Sequence, residues 1–119
     1  MGYFYVVKAD GTVEKHRTGK KHLGLEDCYK AIGCDWVEAV RFSYRNKTYE
    51  MIVDEEGKLT DQPYNTIATI LYGNQYDCIC GNAVIVKTVA WAPFSESQAV
   101  VFENDLFVNN GISVTDKTI

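Results

Sequence analysis

The sequence predicts an α+β fold: an antiparallel, twisted sheet of about five strands with two or three helices packed on one face. Three observations carry this prediction. Runs rich in β-branched and aromatic residues alternate with two short segments of helical period, in the order β-β-α-β-β-α-β. Adjacent strand-like runs are joined by turns too short for a crossover, which makes them antiparallel neighbours. The 119 residues, 46% hydrophobic and 24% charged, contain enough apolar surface for one core and no linker that would divide it. Residues 1–119 are therefore read as a single domain.

Residues 3–8 (YFYVVK) form a strand apolar on both faces. Ala9-Asp10-Gly11 is a hairpin turn, and residues 12–18 (TVEKHRT) return as a more polar strand suited to an edge. Residues 24–32 form a short helix with Leu25, Cys28 and Ile32 on one face, Glu26 and Asp27 in the first turn and Gly33 as its stop. Residues 35–44 alternate as a strand with Trp36, Glu38, Val40, Phe42 and Tyr44 on one side. Arg45-Asn46 reverses the chain into a paired strand, residues 47–54, and Gly57 is expected to supply a positive φ in the next turn. Pro63 starts a second helix that runs to Tyr72, with Ile67, Ile70 and Leu71 as its apolar stripe, and residues 82–88 form a buried strand. The Ser95-x-x-Gln98 spacing fits a capping box and favours a third helix over residues 97–108, although a hairpin about Asn104-Asp105 fits the same residues.

Charge and cysteine usage exclude several classes. A net charge of −4 argues against a general nucleic-acid-coating protein. No run approaches the roughly 18 apolar residues of a membrane span, and no secretory leader is read at the N-terminus, so a cytoplasmic location is expected. Cys28, Cys34, Cys78 and Cys80 are spaced C-x₅-C and C-x-C, without the pairing of a zinc site, and read as thiols packed in the fold. No metal site and no cofactor are expected. Asp54-Glu55-Glu56 lacks the alternating oxygen ligands of a calcium loop and reads as a solvated turn.

Four segments resemble a known family. They are Ile32-Gly33-Cys34-Asp35-Trp36-Val37-Glu38-Ala39-Val40, then Val53-Asp54-Glu55-Glu56-Gly57-Lys58-Leu59, then Pro63-x-Asn65 with Ala68-Thr69, and finally Asp77-x-Ile79-x-Gly81-Asn82-Ala83-x-Ile85-Val86. In this order and spacing they resemble small proteins of unknown function encoded in phages, prophages and mobile elements of Gram-positive bacteria. The acid-acid-Gly-Lys-Leu turn followed by Pro-x-Asn is the most specific part. The resemblance implies a short α+β protein of mobile-element origin and implies no reaction. The basic N-terminal hairpin and the tail after Thr88 depart from the family pattern.

Function therefore has to be read from local chemistry. Lys15, His16, Arg17, Lys20, Lys21 and His22 crowd positions 15–22, and Lys15, Arg17, Lys20 and Lys21 are the candidate phosphate contacts. A solvated edge strand is the plainer reading of the same run. Glu38, placed on an apolar strand face, and Asn65 are the candidates for a sugar or base. Tyr64, Tyr72, Tyr76, Trp91 and Phe94 are expected to be exposed aromatics. No nucleophile, P-loop or metalloprotease motif is present and the catalytic residues are unknown. The expected function is a binding module that sequesters a phosphorylated nucleotide signal, as a homo-oligomer. The alternatives are an inhibitor or adaptor of a host protein, and a small nucleotide-cleaving enzyme using Glu38 and a histidine.

Overall fold

β1 (Gly2–Val7) is the centre of the structure, a computed structural model that describes residues 2–117. Its even residues Phe4 and Val6 face one core and its odd residues Tyr5 and Val7 face another, all buried. That double burial is why the run reads as continuously apolar. β2 (Val13–Thr18) pairs with it antiparallel through the Asp10-Gly11 turn, where Gly11 has φ +91° and Asp10 Oδ1 accepts from the Thr12 amide.

β3 (Val37–Tyr44), β4 (Lys47–Asp54) and β5 (Ala83–Lys87) complete the wall on the other side of β1, and β6 (Val114–Asp116) closes the far edge. The order is β3-β4-β5-β1-β2-β6, and every pair is antiparallel except β2–β6, which is parallel. The sheet is thus mixed and six-stranded rather than antiparallel with about five strands. The sixth strand is three residues long, too short to announce itself by alternation. Arg45 and Asn46 both have positive φ (50° and 62°), the mark of a two-residue type I′ turn that fixes the β3–β4 register.

The helices do not share a face. α1 (Leu25–Ile32) buries Cys28 and Ile32 against Phe4, Val6, Ile52, Val84 and Val86. α2 (Thr66–Tyr72) and α3 (Glu96–Leu106) cover the opposite face, where Ala68, Ala99 and Phe102 meet Tyr5, Val7, Met51 and Ile85. The one-sided arrangement is corrected to helices on both sides, which the two-faced burial of β1, β4 and β5 demands. Two stripe residues are also corrected. Leu25 and Ile70 are exposed, and α2 packs through Ile67, Ala68 and Leu71.

Local chemistry sets the boundaries. α3 starts on the capping box, with the Gln98 amide donating to Ser95 Oγ at 3.3 Å and the Ser95 amide to Gln98 Oε1 at 3.0 Å. α1 ends on Gly33 at φ 82°. Gly57 has no positive φ; its requirement is space, because a Cβ there would stand 2.5 Å from the Cys80 carbonyl oxygen. Asn65 is wholly buried and caps α2, a role described below. No helix among the described residues is long and apolar enough to cross a membrane.

Candidate functional site

The basic stretch does not converge. Alternation along β2 sends Lys15 to the α3 face, where its Nζ donates to Glu103 Oε1 at 2.7 Å and sits 4.7 Å from the Tyr3 ring centre. His16 points to the other face, stacked on Phe4 with ring centres 5.1 Å apart and Nε2 3.0 Å from Glu14 Oε1. Lys20 is drawn to α1 by both oxygens of Asp27, each at 2.9 Å. The Lys20 ammonium holds the Asp27 carboxyl below its ordinary value, helped by the Gly24 amide against some desolvation. Arg17, Lys21 and His22 are exposed.

Glu38 and Asn65 are not neighbours of that run either. Glu38 is exposed on β3, an edge strand, and lines a small hollow of about 100 Å³ with Asp54, Lys58, Asp77 and Cys80. It shares the strand face of Val40 and Phe42 and lies opposite Val53, with Val40 and Ile79 also lining the hollow, yet it is exposed at the end of that face. It stands four strand positions from His16 on β2, about 19 Å at ~4.8 Å per strand, so those two side chains are not brought together. Asn65 is fully buried: Oδ1 accepts from the Ala68 amide, and Nδ2 donates to the Val7 and Gly81 carbonyls, both at 2.9 Å. Its polar atoms are spent on the fold and cannot reach a sugar or base. Of the expected exposed aromatics, Tyr64 and Tyr76 are exposed, Tyr72 and Trp91 are half-buried, and Phe94 is buried at the core.

Three of the four cysteines are poorly suited as nucleophiles. All four thiols are free, and burial, with Asp27 nearby, pushes Cys28 up to about 11. Burial likewise raises Cys34, and it raises Cys80 with help from Cys78. Raised thiols stay protonated and unreactive at neutral pH. No group of three or more His, Cys, Asp or Glu side chains able to hold a metal ion is found among the described residues.

The structure instead opens a cleft elsewhere, between the β3–β4 hairpin, the end of β5 and α3. Its volume is about 980 Å³, at the upper end of the ~300–1,000 Å³ of small-molecule sites. Its floor is an aromatic cluster: Tyr49, Phe94 and Phe102 have ring centres 4.7–5.8 Å apart. Sheet register builds one wall, since Tyr49 lies opposite Phe42 on β3 and opposite Lys87 on β5, and Tyr44 lies opposite Lys47. Desolvation, then the neighbouring Tyr44, raises the Tyr49 phenol above its ordinary value, so it stays a neutral donor.

Charged and polar groups ring this floor. Arg45, Lys47 and Lys87 face one carboxylate, Asp105, which makes the lining cationic in a chain that is acidic overall. Arg45 reaches across from the hairpin, its Nη1 3.3 Å from Asp105 Oδ2 and its guanidinium 5.6 Å from the Tyr44 ring centre. Lys87 Nζ donates to Gln98 Oε1 at 3.1 Å. Thr48, Thr88 and Ser97 add hydroxyls. Glu103 and Asp105 are two residues apart on α3, hence about 200° around it. Lys15 is held on one flank of the helix and the cleft opens on the other.

Past β5 the backbone is strained beside this lining. Ala90 and Trp91 adopt left-handed φ values of 49° and 56°, between Thr88 and Ala92 of the cleft wall. Such conformations cost about 1–2 kcal/mol each for residues with a Cβ and persist only where neighbours impose them. The Lys87 amide bonds the Ala92 carbonyl at 3.0 Å and the Leu23 amide the Trp91 carbonyl at 3.2 Å, which hold the kink.

None of the cleft's charged residues stood out in the sequence as a ligand contact. Arg45 reads only as a turn residue, Lys47 and Lys87 as strand ends, and Asp105 as one polar residue of a helix. They come from three separate segments, and only the sheet register and the α3 crossing assemble them.

Fold and cleft together define a small α+β protein with a preformed concave site and no motif of a known chemistry. The chain belongs to the family described as Domain of unknown function (DUF3846), whose model matches residues 2–104. No curated protein and no solved structure matches it.

Proposed function

We propose that this protein is a binding module whose cleft captures a small phosphorylated ligand carrying an aromatic ring. The observation that carries the reading is the lining itself: Arg45, Lys47 and Lys87 set around the half-buried rings of Tyr44 and Tyr49. Cations suit phosphate oxygens, and aromatic faces suit a stacked base. In the mobile-element setting implied by the sequence resemblance, capture in the cytosol would sequester a nucleotide signal raised against the element. The phosphate contacts move accordingly from Lys15, Arg17, Lys20 and Lys21 to the cleft cations. Self-association belongs to this reading: β3 is an eight-residue edge strand with no Pro, and a second copy can extend the sheet there.

Thermal-shift and native-mass measurements against a panel of mononucleotides, cyclic nucleotides and ADP-ribose-type molecules test the proposal. A ligand present at a hundredfold over its Kd stabilises the fold by about 2.7 kcal/mol, a rise in Tm of several degrees. The rise should be lost in Lys47→Ala/Lys87→Ala and kept in Lys20→Ala/Lys21→Ala. A panel that produces no shift at millimolar concentration removes the reading. A native mass of one subunit removes the self-association.

A further inference from the structure

Charge in the cleft does not balance. Asp105, the one carboxylate of the lining, is engaged by the Tyr44 hydroxyl and by the Arg45 guanidinium, whose Nη1 stands 3.3 Å from its Oδ2. The exposed Lys47 and half-buried Lys87 have no carboxylate partner among the described residues, and the bond of Lys87 Nζ runs to the neutral amide oxygen of Gln98. Two positive charges are thus left without a counter-charge in one hollow. The half-buried Tyr49 also lacks a hydrogen-bond partner for its hydroxyl among the described residues, and desolvation keeps that hydroxyl an O–H donor. Sheet register brings the three groups together. Tyr49 lies directly opposite Lys87, their Cβ atoms about 5 Å apart, and Lys47 stands on the same face of β4, two residues or about 7 Å away. Lysine and tyrosine side chains are of similar length, so one anion seated beside the Tyr49 hydroxyl is within reach of both ammonium groups.

Resting on the binding reading above, we infer that Lys47, Tyr49 and Lys87 seat a terminal phosphate monoester, and that the cleft selects this group over a phosphodiester. A monoester carries close to two negative charges above its second pKa of about 6 and presents three acceptor oxygens. Two ammonium groups and one phenol match it in charge and in number of donors. A phosphodiester, cyclic nucleotides included, carries one charge and two free oxygens, so one ammonium group would stay uncompensated. The pyrophosphate bridge of ADP-ribose has two charges but spreads them over two phosphate groups, each of them a diester. The lining holds no further free cation among the described residues to meet the second group, because Arg45 is committed to Asp105. The ligand class is therefore a phosphomonoester attached to a ring-bearing molecule, as in a nucleoside monophosphate.

Isothermal titration of the full chain with AMP, cyclic AMP and ADP-ribose tests this with the base held constant. At neutral pH AMP should bind about ten- to a hundredfold more tightly than cyclic AMP, the effect of one further hydrogen bond to a charged group. ADP-ribose should also bind more weakly than AMP. AMP affinity should fall as its phosphate takes up a proton near pH ~6, while that of cyclic AMP stays level. The titratable and charged groups facing the seat are Tyr44, Arg45 and Lys47 of the hairpin, Tyr49 of β4, Lys87 of β5 and Asp105 of α3. No histidine is among them, so the fall belongs to the ligand. Tyr49→Phe should weaken AMP about fivefold and cyclic AMP less. The ratio of two affinities within one preparation is unaffected by any loss of folded protein. AMP and cyclic AMP affinities within about threefold of each other, AMP binding that ignores pH, ADP-ribose bound at least as tightly as AMP, or a Tyr49→Phe chain with an unchanged AMP preference overturns the inference while the binding reading stands. Absence of binding by all three, together with the wider panel, removes both.

Discussion

Replacing Asn65 separates a role in the fold from a role at a ligand. The side chain is fully buried and ties three elements together: the start of α2 through the Ala68 amide, the end of β1 through the Val7 carbonyl, and the approach to β5 through the Gly81 carbonyl. Asn65→Ala removes the cap, which costs about 1 kcal/mol. It also strips a donor from two carbonyls, at about 1–2 kcal/mol each where no water enters. The sum is about 3–5 kcal/mol, a large share of the ~5–15 kcal/mol that stabilises a small domain. Urea unfolding followed by circular dichroism should show a lower midpoint at an unchanged m-value. Asn65→Asp sharpens the test. It keeps the capping oxygen but turns lone pairs toward the Val7 and Gly81 carbonyls, so it should be at least as damaging at pH 7 and partly restored at acid pH, where a protonated carboxyl regains one donor. A loss below about 1 kcal/mol for Asn65→Ala would refute the assignment to the fold.

Other outcomes follow from the same geometry. Glu103→Ala should destabilise by about 2–4 kcal/mol, since it leaves the half-buried Lys15 ammonium and the Tyr5 hydroxyl without their shared carboxylate, while Lys15→Met should cost less than half as much in the same unfolding assay. Asp27→Asn should cost about 0.5–1 kcal/mol at pH 7 through the Gly24 and Lys20 contacts. Because Asp27 titrates below its unfolded value in the native state, that stabilisation is present above the unfolded pKa and lost as pH falls through the folded one; the gap between wild type and variant should close in acid. Cys28, with its thiol raised to about 11, should resist iodoacetamide at pH 8 in the native protein and react after denaturation, read by mass spectrometry of the peptides.

Short-range physics made most elements legible. The Asp-Gly and Arg-Asn turns, the Ser95–Gln98 box and the helix stops at Gly33 and Gly73 are local events, and each appears where the sequence places it. What sequence could not convey is which side of the sheet a helix takes. Phe4 and Tyr5 alternate between two cores, yet nothing nearby says that α1 lies over Phe4 and α3 over Tyr5. The site failed for a related reason. The densest run of positive charge was read as a pocket, but adjacent strand residues point to opposite faces, and Lys15, His16 and Lys20 found acidic partners in Glu103, Glu14 and Asp27. The cations that do share a hollow lie up to 42 positions apart, at 45, 47 and 87. Asn65 reads in the sequence as a candidate ligand contact. Its burial depends on β1 passing 58 positions away.

The placement of β1 sets the timetable of folding. In the finished sheet β1 is flanked by β2, which follows it directly, and by β5, some eighty residues further along the chain. α1 supplies cover for Phe4 from nearby in the chain, whereas Tyr5 waits for α3, some ninety residues away. Such distant pairings are slow to close, and an incomplete sheet with the Tyr5 face uncovered is the form of this protein most exposed to aggregation and to chaperones.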